Sequence, residues 1–334
     1  MRSLCSWTCS GRNSATISSK RRSANMPAAS AAMVMLAMAD SALPELARQS
    51  DRDRPIGTRQ SSELGRRVIS AVILALIAIA ALWIGGWFFT IFVLVLAAIG
   101  LWEWTGICGA GDPLWLRTGF VVALVIGLAL AHIGGHVGDF SWALALLAGA
   151  AALALSIACI RRAYGWVALG IVYVAIPSMA LIAFRQAGAD GLPVIVFVAL
   201  IVWATDIAAY FGGRAIGGPK LWPRVSPKKT WSGAGFGLVG AIVVAMIFFA
   251  SAGTGSWVAA LFLAILLSLG AQAGDLAESA FKRRFGVKDS GTILPGHGGV
   301  LDRVDGLYVA LALAWLLAIA NAPLFLAAFP RTLS

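Results

Sequence analysis

Charged residues are scarce in this chain: Asp, Glu, Lys and Arg make up 12% of its 334 residues, whereas hydrophobic residues make up 60%. Soluble domains carry about 25% charged residues, so this composition excludes an ordinary water-soluble protein of the same size. Cysteines are also few, and their positions lack the spacing of a zinc site or a disulfide framework. The predicted fold class is therefore an all-α, polytopic integral membrane protein.

Acidic residues are outnumbered, since 15 Asp and Glu stand against 26 Lys and Arg and give a net charge of +11. Such an excess can mark a protein that binds nucleic acid. On a membrane protein it instead sets the topology, attracts anionic lipid or binds phosphorylated substrates. We therefore predict membrane lipid as a partner, and no nucleic acid.

The first 64 residues differ from the rest of the chain. They hold nine basic residues, no acidic residue before Asp40 and no sustained apolar period. This composition predicts a disordered or dispensable N-terminal extension over 1–64, followed by a transmembrane domain over 65–334. The alternatives are a signal peptide, formed by the basic block 20–22 and the alanine-rich run 28–39, and a transit peptide.

Apolar runs long enough to cross a hydrocarbon layer of about 30 Å recur from residue 68 onward. Their abundant Gly and Ala suit close packing of helices in lipid, and they also make a homodimer plausible. We predict about nine transmembrane helices, at 68–84, 87–102, 118–133, 140–160, 165–184, 192–211, 234–251, 257–274 and 307–329.

Basic residues indicate the orientation of these spans, because loops rich in Lys and Arg stay in the cytoplasm. With a cytoplasmic N-terminus, only Arg185 and Arg331 fall on the opposite side. The cytoplasmic side receives fifteen: Arg66, Arg67, Arg117, Arg161, Arg162, Arg214, Lys220, Arg224, Lys228, Lys229, Lys282, Arg283, Arg284, Lys288 and Arg303. We predict a multi-pass protein of the cell inner (cytoplasmic) membrane, with its N-terminus and long loops cytoplasmic. The same bias argues against a cleaved signal peptide.

Two of the cytoplasmic loops are long and polar. The first, 212–233, reads GGRAIGGPKLWPRVSPKKTWSG, and its glycines and prolines are incompatible with a regular helix. Its backbone amides, together with Lys228 and Lys229, suit the binding of phosphate. The alternative is an ordinary basic loop whose charges only set the topology.

The second loop, 275–306, carries acidic residues as well. If the preceding helix continues beyond the membrane, one face of it presents Asp275, Glu278, Ser279 and Lys282. Asp302 and Asp305 would share a face where the last span begins. Carboxylates beside many cationic side chains suggest a divalent cation held against a polyphosphate, since Mg²⁺ prefers carboxylate, phosphate and water oxygens. A solvated loop of mixed charge is the alternative.

Two acidic residues lie close to or within predicted spans. Asp206 is deep within one of them, and because an intramembrane carboxylate is costly, it is a functional candidate. It could complete a metal site, neutralise a lysine of the next loop, or bond to a neighbouring helix. Glu103 lies between Trp102 and Trp104 and is interpreted as an interfacial residue.

The segment 279–305, SAFKRRFGVKDSGTILPGHGGVLDRVD, resembles the complete signature of the phosphatidate cytidylyltransferases. The resemblance extends upstream through ATDIAAYFGG at 204–213, SPKKTW at 226–231 and GDL at 274–276. It covers the chain from about residue 66 to its end, but not the first 64 residues.

This resemblance implies transfer of the cytidylyl group of CTP to phosphatidate, which gives CDP-diacylglycerol and pyrophosphate in a Mg²⁺-dependent reaction. The number of ions is open, and a monovalent cation is a further candidate. The implied metal ligands are Asp275, Asp302 and Asp305. The implied substrate-binding residues are Asp206, Ser226, Lys228, Lys229, Thr230 and Ser279. The implied catalytic residues are Lys282, Arg283, Lys288, His297 and Arg303.

Two other functions fit parts of the sequence. A CTP-dependent lipid-alcohol kinase is also polytopic, but the segment 279–305 argues against it. A transporter would use Asp206 as a coupling carboxylate, but we find no inverted repeat, and the acidic residues cluster on one side of the membrane. Labelled CTP separates these functions, because a kinase attaches only the γ-phosphate to lipid.

Overall fold

The computed structural model describes residues 72–108, 113–135, 141–158, 163–187, 191–252, 256–291, 293 and 298–329. The predicted extension over 1–64 lies outside these residues, and so does His297. Within them the regular secondary structure is helical apart from one small hairpin. The sheet of this hairpin departs from the all-α prediction.

The helices are α1 (Val72–Ile84), α2 (Gly86–Cys108), α3 (Leu114–Gly135), α4 (Ser141–Ala158), α5 (Ala163–Gln186), α6 (Leu192–Ile216), α7 (Trp231–Ala252), α8 (Trp257–Arg284), α9 (Leu301–Ile319) and α10 (Pro323–Ala328). Between α6 and α7 in sequence, β1 (Lys220–Trp222) pairs antiparallel with β2 (Ser226–Thr230). The hairpin thus replaces much of the irregular loop predicted at 212–233.

Six helices of the described residues are long and apolar enough to cross a membrane: α2, α3, α5, α6, α7 and α8. This confirms a polytopic, mostly helical membrane protein. Each of the nine predicted spans overlaps a helix, but α1 is shorter than 18 residues, and α9 has three charged residues among its first five. Nine spans therefore stay a prediction.

The last predicted span, 307–329, is divided in the structure. Helix α9 already begins at Leu301 and ends at Ile319, and a short break precedes α10. Asn321 in this break has a φ of 48°, in the left-handed region, and Pro323 begins the next helix without a backbone N–H to donate. These two residues explain why the apolar run does not form one continuous helix.

Small residues bring α8 and α9 close together. A Cβ atom on Gly274 would lie 3.0 Å from the backbone oxygen of Asp305, and one on Gly306 would lie 3.1 Å from that of Ala271. Glycine therefore permits an approach that larger side chains would prevent. As a result, the C-terminal part of α8, which carries Asp275, runs beside the first turns of α9, which carry Asp305.

Helix α6 is held against α8 by polar groups inside the apolar core. The hydroxyl of Thr205 is fully buried and donates a hydrogen bond of 2.9 Å to the hydroxyl of Ser268. Such a bond satisfies polar groups that water cannot reach. Because Asp206 follows Thr205 directly, this contact holds Asp206 near the C-terminal half of α8.

Aromatic rings attach α2 to the same region. Trp104 stacks on Phe281 of α8 at 3.8 Å between ring centroids and 10° between planes, and its indole N–H donates to the backbone oxygen of Trp166 at 2.7 Å. A Cβ on Gly170 would lie only 2.2 Å from the Trp104 ring. The C-terminal ends of α2 and α8 and the N-terminal end of α5 thus pack around one indole.

Candidate active site

The residues of both predicted loops meet at the C-terminal parts of α6 and α8 and at the N-terminal end of α9. Here five carboxylates lie with two lysines, and we call this group the carboxylate–lysine cluster. Its members are Asp206, Lys229, Asp275, Glu278, Lys282, Asp302 and Asp305. The basic loop and the acidic loop, which the sequence analysis treats separately, therefore contribute to the same site.

Lys229 joins the two loops. Its ammonium group forms an ion pair with the carboxylate of Asp275, and about a third of each side chain is exposed. Ser279, one turn further along α8, donates a long hydrogen bond of 3.4 Å to the same carboxylate. Because the pair is reachable from solvent, a charged ligand can displace either partner.

Lys282 is enclosed by two carboxylates. Its Nζ lies 2.5 Å from Oδ1 of Asp302 and 3.3 Å from Oε1 of Glu278. Glu278 is only 2% exposed and Lys282 only 8%. A buried ammonium of this kind depends on its carboxylates, since removing one partner leaves an uncompensated charge.

Asp302 is bound on both of its oxygens. Oδ1 accepts from Lys282, whereas Oδ2 accepts from the backbone N–H groups of Ser290, at 2.9 Å, and Gly299, at 3.0 Å. Burial raises the pKa of Asp302, but these hydrogen bonds outweigh it and hold the pKa below its usual value. Asp302 is therefore an ionised group whose binding of a metal would require Lys282 to move.

The pKa of Asp305 is shifted in the opposite direction from that of Asp302. Burial and the negative charge of Asp275 raise the pKa of Asp305 above its usual value, and the hydrogen bond from the backbone N–H of Gly306 and the positive charge of Lys282 offset only part of this. Asp206 also experiences the charges of Asp275 and Asp305, with Lys229 as the opposing cation. This side of the cluster therefore has an excess of negative charge.

The cluster contains the oxygen donors that a divalent cation prefers, although its side chains are not arranged around an ion. Among the residues that the structure describes, no three or more Asp, Glu, His or Cys side chains form a group arranged to hold a metal ion. Asp275 and Asp305 nevertheless supply the hard oxygen donors that Mg²⁺ prefers, and their mutual repulsion is what such an ion relieves. Metal binding by Asp275, Asp302 and Asp305 stays a prediction.

Glu103 belongs to this region, and the interpretation of it as an interfacial residue is wrong. It is 4% exposed. Its Oε1 accepts from the N–H of Val300 at 3.0 Å, while Oε2 accepts from the hydroxyl of Ser290 at 3.1 Å and the N–H of Leu301 at 3.0 Å. The signal in the sequence was a carboxylate beside an apolar run, the same signal that singled out Asp206.

The remaining predicted residues surround the cluster in different ways. Lys228, Arg283, Lys288 and Arg303 are exposed. Ser226 lies opposite Trp222 in the hairpin. Thr230 is buried and accepts a hydrogen bond of 3.1 Å from the N–H of Gly233, so it caps the start of α7. His297 lies outside the described residues, and contacts of all these groups with a substrate stay predictions.

Known proteins resemble this chain over the region that holds the cluster. A sequence model described as the cytidylyltransferase family matches residues 65–320. A phosphatidate cytidylyltransferase of Brucella suis biovar 1 (strain 1330) is 43% identical over 260 residues, which cover 76% of this chain and 93% of that protein. One from Staphylococcus aureus (strain COL) is 35% identical over 256 residues, 74% of this chain and 96% of that protein.

Proposed function

The chain belongs to the cytidylyltransferase family and has phosphatidate cytidylyltransferase activity, and we propose that its carboxylate–lysine cluster is where the reaction takes place. A phosphate oxygen of phosphatidate attacks the α-phosphorus of CTP, and the bond from that phosphorus to the β-phosphate oxygen breaks. The products are CDP-diacylglycerol and pyrophosphate. The observation that carries this proposal is the Lys229–Asp275 ion pair, because it joins the two polar loops at one point.

The reaction needs no nucleophile from the protein, since phosphatidate already carries an oxyanion. Its difficulty is that two anions must approach and that charge accumulates on the departing pyrophosphate. Lys229 is released from Asp275 to bind a phosphate group. Lys282, which is fixed by Glu278 and Asp302, contributes a second positive charge near the phosphates. The exposed Lys228, Arg283, Lys288 and Arg303 supply further contacts to phosphate.

Mg²⁺ is the proposed cofactor, with Asp275 and Asp305 as its ligands from the protein. When bound, the ion would neutralise charge on the triphosphate and on the leaving group. The excess of negative charge at Asp206, Asp275 and Asp305 supports this assignment. Asp302 can bind the metal only if Lys282 moves away from the Asp302 carboxylate. The number of ions, the binding of a monovalent cation and the formation of a homodimer stay predictions.

We also propose nine spans with a cytoplasmic N-terminus in the cell inner (cytoplasmic) membrane. The distribution of basic residues supports this orientation, because it places nearly all of those after residue 64 on one side. The cluster then lies on the cytoplasmic side, where CTP is available. Phosphatidate reaches it from within the bilayer.

One experiment tests the reaction and the orientation together. Inverted and right-side-out membrane vesicles that contain the full chain receive phosphatidate and CTP labelled at either the α- or the γ-phosphate. We expect lipid label only from the α position, with pyrophosphate released, and only in inverted vesicles, because CTP does not cross the bilayer. Lipid label from the γ position would instead indicate a kinase. α-Label in right-side-out vesicles would overturn the orientation alone.

A further inference from the structure

We propose that Glu103 is a positioning residue for cytidylyl transfer, which fixes the second cytoplasmic loop so that Asp302 can orient Lys282. This inference rests on the proposed role of the carboxylate–lysine cluster. Glu103 belongs to α2, whereas its partners Ser290, Val300 and Leu301 lie 187 to 198 residues later in the chain. Through this contact a helix outside the cluster reaches the loop.

The hydrogen bonds of Glu103 explain how it fixes the loop. Its carboxylate accepts from the N–H groups of Val300 and Leu301, which are the cap and the first residue of α9. These N–H groups have no partner within the helix, and the positive end of the helix dipole favours a negative charge there. Glu103 therefore caps α9 from another helix and fixes where α9 begins.

Ser290 transmits the position of Glu103 to the cluster. Its hydroxyl donates to Glu103 at 3.1 Å, and its own backbone N–H donates to Asp302 at 2.9 Å. Asp302 in turn accepts from Lys282. A continuous series of hydrogen bonds thus connects Glu103 to Lys282 without Glu103 touching the lysine.

Two glycines of the loop leave the space that this arrangement needs. A Cβ atom on Gly291 would lie 2.5 Å from Oε1 of Glu103, and one on Gly299 would lie 1.9 Å from the hydroxyl oxygen of Ser290 and 2.6 Å from Oε2 of Glu103. All three distances are far below van der Waals contact. The backbone of the loop therefore packs so closely against the buried carboxylate of Glu103 that only glycine fits at these two positions.

The test is a double-mutant cycle in the full-length protein. Glu103→Gln keeps the shape of the side chain but removes the charge and one acceptor oxygen. We expect it to lower kcat per folded molecule by about tenfold to a hundredfold, as displacement of reacting groups does. In the Asp302→Asn background we expect it to lower the remaining rate by no more than about twofold, because the route through Asp302 is already broken.

Two further variants complete the design. Ser290→Ala removes one of the three hydrogen bonds and should give a smaller loss in the same direction. Thr105→Val is the matched control: Thr105 is a buried residue of the same helix whose hydroxyl bonds to carbonyl groups of α2, and its replacement should leave kcat unchanged.

Two outcomes overturn the proposal while wild-type protein still makes CDP-diacylglycerol. One is an equal loss from Glu103→Gln in the wild-type and Asp302→Asn backgrounds. The other is a loss of folded protein with unchanged kcat in the folded fraction, since this indicates a role in stability alone. Wild-type protein that forms no CDP-diacylglycerol overturns the proposed function instead, so the two failures are distinguishable.

Discussion

We expect replacement of Lys282 by methionine to slow cytidylyl transfer strongly and to destabilise the folded protein. The ammonium group of Lys282 lies between the carboxylates of Glu278 and Asp302, and both lysine and Glu278 are buried. Removing one partner of a buried ion pair costs about 3–5 kcal/mol, because the remaining charge is uncompensated. Because we assign Lys282 to the stabilisation of phosphate charge, its loss should also lower the rate by about a hundredfold or more.

Two measurements separate these effects. Thermal unfolding in detergent reports the loss of stability, and lipid label from α-labelled CTP, divided by the amount of folded protein, reports the rate. The double variant Lys282→Met/Glu278→Gln removes one of the two unpaired charges, so it should regain part of the stability but no activity. Near wild-type transfer by Lys282→Met would show that this lysine only holds helices together.

Asp275→Asn has the second large effect, which we expect on the Mg²⁺ dependence of the reaction. Asparagine keeps the size of the side chain but removes the charge that pairs with Lys229 and that we assign to Mg²⁺. The rate at limiting Mg²⁺ should fall by about a hundredfold, because the hard cation loses a carboxylate ligand. Part of this loss should be recovered as Mg²⁺ is raised.

The control for this titration is Asp289→Asn. Asp289 is an exposed carboxylate near the site, and the same chemical change there should leave the Mg²⁺ requirement unaltered. The assignment of Asp275 fails if its asparagine variant turns over at the wild-type rate when Mg²⁺ is limiting. It also fails if Asp289→Asn has an equal effect, since this would indicate a general influence of surface charge.

Local spacing was enough to predict the face of α8. Residues 275, 278, 279 and 282 lie one turn or two turns apart, and α8 indeed continues to Arg284. The hairpin was not foreseen, because two short strands rich in proline and lysine give no alternating apolar pattern. The span at 307–329 is predicted from apolarity alone, which does not reveal the break between α9 and α10.

The contacts of Glu103 and Asp302 could not be predicted from sequence, for a common reason. Each carboxylate binds backbone N–H groups that only the folded loop brings to it, at Val300 and Leu301 for one and at Ser290 and Gly299 for the other. Composition identifies a carboxylate in an apolar setting, but its partners depend on tertiary geometry. Asp302 was consequently predicted as a metal ligand although its oxygens are already occupied.

The most direct test of the central claim is to locate bound CTP on the chain. Full-length protein in vesicles is cross-linked by light to an azido derivative of CTP in the presence of Mg²⁺, and the labelled peptides are identified by mass spectrometry. We predict label on peptides that contain Lys229 or Lys282, and its loss when excess CTP competes. CTP-sensitive label confined to peptides elsewhere, such as the one that contains Arg185, would contradict the assignment of the carboxylate–lysine cluster.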